Sequence, residues 1–198
     1  MSRVVVFGVK DFAELADYYF LNDSDHEVVA FTLNKEYLKR DSFQGRPVVP
    51  FEDLEQHYSP KEFRLFAPMS GSAMNKNREK IYLEGKKKGY DFISYVSSKA
   101  TKFNNKIGEN CFILEDNTLQ PFTHIGNNVV IWAGCHLGHH SRIFDNVFIT
   151  SHVVISGHCH IEKNSWLGVN SSVRDGLTIS EGSLIGMGAC VTKSTESW

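Results

Sequence analysis

The chain has no long apolar run and no surplus of charge of either sign. None of its hydrophobic stretches approaches the roughly 18 residues that a membrane-spanning helix needs. It opens with MSRVVVFGVKDF, which lacks the pattern of a signal peptide and leads directly into a predicted strand. We therefore expect a cytoplasmic protein without membrane insertion.

The charges are balanced in both halves of the sequence. Lys plus Arg and Asp plus Glu number 15 each in residues 1–100, and residues 101–198 hold 6 against 8. Binding to nucleic acid or to an anionic membrane requires a basic surplus, which neither half has. We therefore expect no nucleic-acid partner.

A repeat of six residues fills the second half. An aliphatic side chain occurs at every sixth position from Ile107 to Val191, and a small or β-branched residue follows four positions later in nearly every unit. A period of six fits neither a helix nor a simple strand alternation. It is the signature of a parallel β-helix, in which three units form one triangular coil. The fifteen units predict a left-handed β-helix of about five coils.

Three of the four cysteines occupy the small inward position of this repeat: Cys111, Cys135 and Cys159. Since they are 24 residues apart, each falls on a different face of the prism. We expect reduced thiols that fill the core, rather than disulfides or metal ligands.

Residues 1–100 predict a separate α/β domain. Strands are expected at residues 2–8, 27–33, 64–68 and 92–96, and helices at 11–20 and 73–88. Alternating strands and helices favour a small parallel sheet of Rossmann-like type. The predicted architecture is therefore this α/β domain over 1–100, followed by the left-handed β-helix over 101–198.

Ligands of such sheets bind at the carboxyl ends of the strands, where the sequence places Gly8, Lys10, Asp11, Thr32 and Asn34. The first turn lacks the full GxGxxG pattern, which argues against a dinucleotide. A helix N-terminus at this turn could still hold a diphosphate through backbone N–H groups, with Lys10 adding a charge. A turn without a ligand is the alternative.

Five histidines crowd two coils between His136 and His158. Stacking at 18 residues per coil places His139 next to Gly157 at an outward corner, and His140 next to His158. His139 could take a proton from an incoming nucleophile, and the unobstructed N–H of Gly157 could stabilise an oxyanion. The pattern predicts an acyl-transfer site, with a merely polar surface as the alternative.

Zinc binding is the competing use of these histidines. The γ-class carbonic anhydrases share this prism and bind zinc through three histidines across a subunit interface, and four residues separate their closely spaced ligand pair. No histidine pair in this repeat has that spacing, so we expect no metal.

The order of the two halves and the segments ILEDNTLQPFTHIGNNVVIWAGCHLGHHS (113–141) and ITSHVVISGHCHI (149–161) carry a family resemblance. The chain resembles the bacterial sugar acetyltransferases of the sialic-acid O-acetyltransferase (NeuD-like) type, whose relatives N-acetylate nucleotide-linked amino sugars. The resemblance covers nearly the whole chain. It implies a homotrimer that uses acetyl-CoA in surface-glycan synthesis, with a nucleotide-linked sugar bound by the N-terminal domain.

The same resemblance assigns residues to roles. It makes His139 the catalytic base and Gly157 the amide that holds the oxyanion, and it places coenzyme A along Gly168, Gly186 and Lys193. Where the amino-sugar N-acetyltransferases commonly have a glutamate after the catalytic histidine, this chain has His140. That departure leaves open whether the acceptor is an amine or a hydroxyl.

Two other functions fit the same pattern. One is an acetyltransferase of a small molecule without a nucleotide, and the other is a non-catalytic subunit that binds a sugar nucleotide. The sequence alone does not distinguish among sugars, nucleotides or acyl groups.

Overall fold

The computed structural model describes residues 1–196. Contacts between residues divide the chain into two compact units. The sheet unit comprises Met1–Ser70 and Lys80–Ile93, and the prism unit comprises Gly71–Glu79 and the chain from Ser94 onward. No helix within residues 1–196 is long and apolar enough to cross a membrane.

A five-stranded sheet forms the sheet unit. Its strands are β1 (Arg3–Phe7), β2 (Glu27–Leu33), β3 (Ser42–Phe43), β4 (Arg46–Pro50) and β5 (Phe63–Phe66); the helices of the chain are α1 (Asp11–Asp23), α2 (Leu54–His57) and α3 (Lys76–Lys87), with a 3₁₀ turn at Lys35–Tyr37. The strand order is β3-β4-β2-β1-β5, and all pairs are parallel except β3 with β4. Val4, Val5 and Val6 are all fully buried because a central parallel strand is covered on both faces.

The sheet differs from the predicted one at three strands: β3 and β4 were not predicted, and the strand predicted at residues 92–96 does not form. Strand β4, which pairs with β2, is absent from the predicted elements because it contains prolines, which are disfavoured within strands. The predicted strand at residues 92–96 is wrong. Only Phe92 bridges to β5, at Leu65, and Tyr95–Val96 belong to the prism, where they pair with Phe112–Ile113.

The helices also differ at their ends. The helix predicted from residue 73 begins at Lys76, because Ala73, Met74 and Asn75 adopt positive φ angles of 51°, 49° and 67°. Helix α1 continues to Asp23, three residues beyond its predicted end.

Seventeen two-residue strands form three parallel sheets, which are the faces of a prism. The first face holds β6 (Tyr95–Val96), β9 (Phe112–Ile113), β12 (Val130–Ile131), β15 (Phe148–Ile149), β18 (Trp166–Leu167) and β21 (Leu184–Ile185). The second holds β7 (Thr101–Lys102), β10 (Thr118–Leu119), β13 (His136–Leu137), β16 (Val154–Ile155), β19 (Ser172–Val173) and β22 (Cys190–Val191). The third holds β8 (Lys106–Ile107), β11 (His124–Ile125), β14 (Arg142–Ile143), β17 (His160–Ile161) and β20 (Thr178–Ile179).

Each coil pairs with the next at a spacing of 18 residues, as Leu119 does with Leu137. The predicted hexapeptide register is therefore confirmed. The four residues that follow the strands of each face turn the chain, and we call these turns the first, second and third corners after the face that precedes them.

The aliphatic column of the repeat fills the prism and forms one cluster with Cys111, Cys135 and Cys159. All three cysteines are free and buried, as predicted. Burial raises the pKa of the Cys111 and Cys135 thiols to about 11 and raises that of Cys159 as well. These thiols therefore stay protonated and act as small apolar side chains.

A ladder of asparagines runs up the third corner. Asn110 Nδ2 donates to Asn128 Oδ1, and Asn128 Nδ2 donates to Asn146 Oδ1, both at 2.7 Å. These asparagines and Asn164 have positive φ angles, which asparagine tolerates better than most residues.

The start of α3 packs against this corner within the prism unit. Arg78 is fully buried and donates to the carbonyl oxygens of Asn128, Asn146 and Val147. Its guanidinium also lies 5.5 Å from the centroid of the Phe148 ring. Burial lowers the pKa of Arg78 to about 9, so the side chain remains charged at pH 7 and depends on these acceptors.

Candidate active site

Three imidazoles meet at the second corner. His139 and His140 follow β13, and His158 follows β16 one coil further along. His139 Nδ1 lies 3.1 Å from His140 Nδ1. The rings of His140 and His158 are stacked with centroids 5.0 Å apart, and the ring of His139 stands edge-on to His158 at the same centroid distance. All three side chains are exposed.

Backbone conformation explains why histidines are accepted here. The third place of each corner has a positive φ, which measures 59° at His140, 58° at His158 and 71° at Gly176. Among residues with a side chain, Asn, Asp and His enter this region most readily. The corner can therefore carry imidazoles in consecutive coils without the larger strain of a β-branched residue.

Gly157 occupies the second place of the corner, next to His139. A Cβ added at Gly157 would lie 2.9 Å from Cε1 and 3.1 Å from Nε2 of His139, so the absence of a side chain makes room for this ring. The N–H of Gly157 donates to Asp175 Oδ1 at 2.8 Å. Asp175 therefore occupies the donor that the sequence predicts for an oxyanion, and a ligand at this amide has to displace it.

Two further side chains of the coil before His139 contribute to this corner. Gln120 Oε1 accepts the backbone N–H of His139 at 2.9 Å, which holds the turn that carries His139. The ring of Phe122 lies 4.6 Å from that of His140 and is 66% exposed. Sequence reasoning assigned neither residue a role, although their 18-residue offset from Gly138 and His140 was the signal that could have found them.

The residues expected to hold coenzyme A fall on two corners. Lys193 stands in the same column as His139, Gly157 and Asp175 at the second corner, and it is exposed. Gly168 and Gly186 follow β18 and β21 and therefore lie at the first corner. Nothing lies within 4 Å of a Cβ placed at Gly186, which leaves open space there for a ligand.

Five residues were predicted at the edge of the sheet. Gly8, Lys10 and Asp11 lie where the chain leaves β1 and enters α1, and Thr32 and Asn34 lie at the end of β2. Gly8 has a φ of 114° and donates its N–H to Thr32 O, while Lys10 and Asp11 stand exposed at the start of α1. Thr32 is fully buried, and its hydroxyl donates to Val49 O. Its side chain thus faces the neighbouring strand, and only its backbone contributes to the edge.

Asn34 lines a cleft of about 440 Å³ in the sheet unit, together with Phe51, Glu52, Glu84, Lys87 and Lys88. Burial pushes the pKa of Glu52 upward, but its backbone hydrogen bonds, including one from the N–H of Lys35, outweigh burial and lower the pKa. Glu52 is therefore anionic at neutral pH, and Lys87 and Lys88 supply positive charge to the same cleft.

The hexapeptide repeat of the prism is similar to repeats of known protein families. Residues 106–139 and 122–157 match the family described as bacterial transferase hexapeptide (six repeats). Residues 160–193 match the hexapeptide repeat of succinyl-transferase. The prism is a left-handed β-helix, and its hexapeptide repeats are similar to those of bacterial transferases.

Solved structures share the fold of the entire chain. The acetyltransferase domain of PglB from Neisseria gonorrhoeae superposes with a TM-score of 0.83 at 18% identity, over 100% of this chain and 94% of that one. Perosamine N-acetyltransferase from Caulobacter crescentus, solved with CoA and GDP-perosamine, gives 0.83 at 18% identity over 98% and 90%. WeeI from Acinetobacter baumannii gives 0.80 at 22% identity over 98% and 93%. The predicted α/β domain followed by a left-handed β-helix is confirmed.

Among curated proteins, the chain is 31% identical over 87 residues to an acyl-[acyl-carrier-protein]–UDP-N-acetylglucosamine O-acyltransferase from Sinorhizobium fredii. The match covers 40% of this chain and 32% of that protein, so the chain spans about a third of the length of this relative.

Proposed function

We propose that this protein transfers an acetyl group from acetyl-CoA to an amino or hydroxyl group of a nucleotide-linked amino sugar, as a cytoplasmic homotrimer that serves surface-glycan synthesis. The observation that carries the proposal is the pairing of His139 with the side-chain-free amide of Gly157. Further support comes from the structures of similar fold, which include PglB solved with acetyl coenzyme A and the perosamine enzyme solved with CoA and GDP-perosamine.

His139 acts as the general base in this proposal. We assign His139 the tautomer whose Nδ1–H donates to His140 Nδ1, 3.1 Å away, because this tautomer leaves Nε2 of His139 free to accept a proton. His140 thus orients the base by accepting one hydrogen bond, as an acidic residue would. A neutral acceptor stabilises a positive imidazolium less than a carboxylate does. The proposed mechanism therefore depends less on His139 with an amine, which can attack before it loses its proton, than with a hydroxyl.

The reaction proceeds through a tetrahedral intermediate. The acceptor nitrogen or oxygen attacks the thioester carbonyl carbon while its proton passes to His139 Nε2. The carbonyl oxygen becomes an oxyanion that accepts the N–H of Gly157 in place of Asp175. Collapse of the intermediate breaks the carbon–sulfur bond, and His139 returns the proton to the leaving thiolate of coenzyme A.

The three faces of the prism differ in a way that favours a trimer. On the first face, Phe148 is buried under Arg78 of the same unit. On the third face, the outward side chains are largely charged or polar and include Lys106, Arg142 and His160. From β10 onward the outward side chains of the second face are mostly small and include no Lys, Arg, Asp or Glu: Thr118, His136, Val154, Ser172 and Cys190.

A second face turned toward a threefold axis also completes the site. This face runs from the first corner to the second, so the first corner of one copy would meet the second corner of its neighbour. Gly168 and Gly186 of one subunit would then line the coenzyme A that reacts at His139 and Gly157 of the next. Within a single prism, the residues expected to form one site lie at two different corners.

The sheet unit would hold the nucleotide. A diphosphate would lie at the start of α1, where Lys10 is exposed and a helix N-terminus favours an anion. Gly8 allows the tight turn before this helix because its φ of 114° strains any residue with a side chain. The cleft beside Asn34 lies at the end of β2 and offers a polar wall for the rest of the nucleotide.

The test is release of the coenzyme A thiol from acetyl-CoA in the presence of UDP-, dTDP- and GDP-linked amino sugars. Wild type, His139→Ala and His160→Ala would be assayed together, because His160 is an exposed histidine on the third face and serves as a matched control. We expect release with one sugar, lost in His139→Ala and kept in His160→Ala. Equal rates in wild type and His139→Ala would contradict the assignment of the base.

The acceptor class would be read from the same variants. If an amino sugar is the substrate, loss of His139 should cost less than with the matching hydroxyl acceptor, since a free amine attacks without prior deprotonation. A thermal shift with nucleotides but none with coenzyme A would instead indicate a binding subunit without catalysis.

A further inference from the structure

The three imidazoles at the second corner have the composition and the spacing of a metal site. One ligand nitrogen from each of His139, His140 and His158 can be chosen so that all three lie within 4.8 Å of one another. The two Nδ1 atoms of His139 and His140 are 3.1 Å apart. Two nitrogens bound tetrahedrally to zinc at about 2.0–2.1 Å stand about 3.4 Å from each other. The first pair therefore already has nearly the separation that one ion requires.

We propose that His139, His140 and His158 bind one divalent transition-metal ion of the zinc class. His158 has to turn out of its stack with His140 to bring its nitrogen within bonding distance, and its exposure leaves room for that rotation. Gly157, in the same coil as His158, has no side chain, so nothing at that position blocks the approach of an ion to His139. Three protein ligands leave a fourth position for water or a thiol.

This arrangement differs from the spacing considered in the sequence. The ligands are two consecutive residues and a third one 18 positions after His140, so they come from one corner of one chain. A search for a histidine pair with four intervening residues misses them, because the third ligand is brought near by the stacking of coils.

Metal binding would oppose acetyl transfer, a consequence that rests on the proposed function. The ion would take the Nδ1 atoms of both His139 and His140 and break the contact that orients the base. We therefore expect zinc to inhibit the enzyme reversibly.

The experiment is calorimetric titration of tag-free protein with Zn²⁺, followed by Co²⁺ with its visible absorption spectrum as the readout. Wild type, His158→Ala and His160→Ala would be compared after confirming equal melting temperatures. We expect one ion per chain, a tetrahedral Co²⁺ spectrum, and binding weakened in His158→Ala by at least about tenfold, the loss seen even when only a supporting contact to a ligand is removed. His160→Ala should bind as wild type does.

Failure of wild type to bind, or binding that His158→Ala leaves unchanged, would overturn the site. Activity is measured separately, with Zn²⁺ added and then removed by a chelator. Binding at the site without inhibition would overturn the proposed inhibition, whereas a protein that binds the ion but acetylates no sugar would count against the proposed function and leave the metal site standing.

Discussion

Replacing Gly157 with alanine separates the requirements of catalysis from those of folding. The new Cβ would stand 2.9 Å from Cε1 of His139, so the ring has to move by 0.5 Å or more to reach an ordinary contact of 3.4 Å. The Cβ also stands beside the amide proposed to hold the oxyanion. A misplacement of about 1 Å can cost about 100-fold in rate, so we expect kcat/KM to fall by about tenfold or more.

The same substitution should leave stability almost unchanged. Gly157 is not in the left-handed region, and in such positions Gly→Ala stabilises by about 0.4–1 kcal/mol through the unfolded state. Displacing an exposed ring from its rotamer costs about 0.5–1.5 kcal/mol, which offsets this gain. The net change should stay within about 1 kcal/mol, or about 4 °C in Tm for a chain of this length.

Gly182→Ala provides the opposite control. Gly182 has a φ of 69° with open space around its Cβ position, and it lies at the third corner. Alanine there should cost about 1–2 kcal/mol of stability, because the left-handed conformation is strained, without altering activity. The assays are thermal melting and acetyl transfer for both variants. If Gly157→Ala kept full kcat/KM, or lost activity only in proportion to unfolding, the role given to this glycine would be refuted.

Four other outcomes follow from the structure. Asp175→Ala should raise kcat/KM for acetyl-CoA in steady-state assays, since no carboxylate then competes for the Gly157 amide proposed to hold the oxyanion; an unchanged kcat/KM would show that Asp175 does not compete. Arg78→Ala should destabilise the protein in urea titrations by about 3–5 kcal/mol, because buried carbonyls lose their donors, whereas the exposed Lys80→Ala should change little. Val154→Lys, which puts a charge on the 43% exposed valine of the second face, should dissociate the trimer in light scattering and abolish transfer; a trimer that survives would exclude this face as the interface. At pH 8 a disulfide reagent should modify no more than one thiol per native chain, Cys190, because burial raises the pKa of the other three; rapid modification of all four would contradict the packed core.

The repeat made the prism predictable because its period determines both what points inward and which residues stack. The neighbours of His139 and His140 followed from adding 18, and the rings of His140 and His158 do stack at 5.0 Å. The sheet was less predictable. Strand β4 is short and contains prolines, and the burial of the Thr32 hydroxyl depends on its pairing with a strand 17 residues away.

Contacts that depend on side-chain conformation could not be read from the sequence. The 18-residue spacing puts Asp175 in the column of Gly157, but the hydrogen bond of its carboxylate to that amide depends on the side-chain rotamer. Arg78 lies among several charged residues in the sequence of α3, yet it is fully buried against the carbonyls of two coils. The local sequence does not indicate this burial, because the carbonyl oxygens that accept from Arg78 lie 50 or more residues further along the chain.

The eighteen-residue coil imposes a rule on which insertions and deletions evolution can accept. Six extra residues between His139 and Gly157 would preserve the hexapeptide pattern and hence the packed interior. They would nevertheless carry Gly157 one corner further around the prism, away from the base. Eighteen extra residues, a full coil, would return Gly157 to the second corner but one coil too far along the axis of the prism. Selection on folding tolerates any multiple of six in this interval, and selection on activity tolerates none.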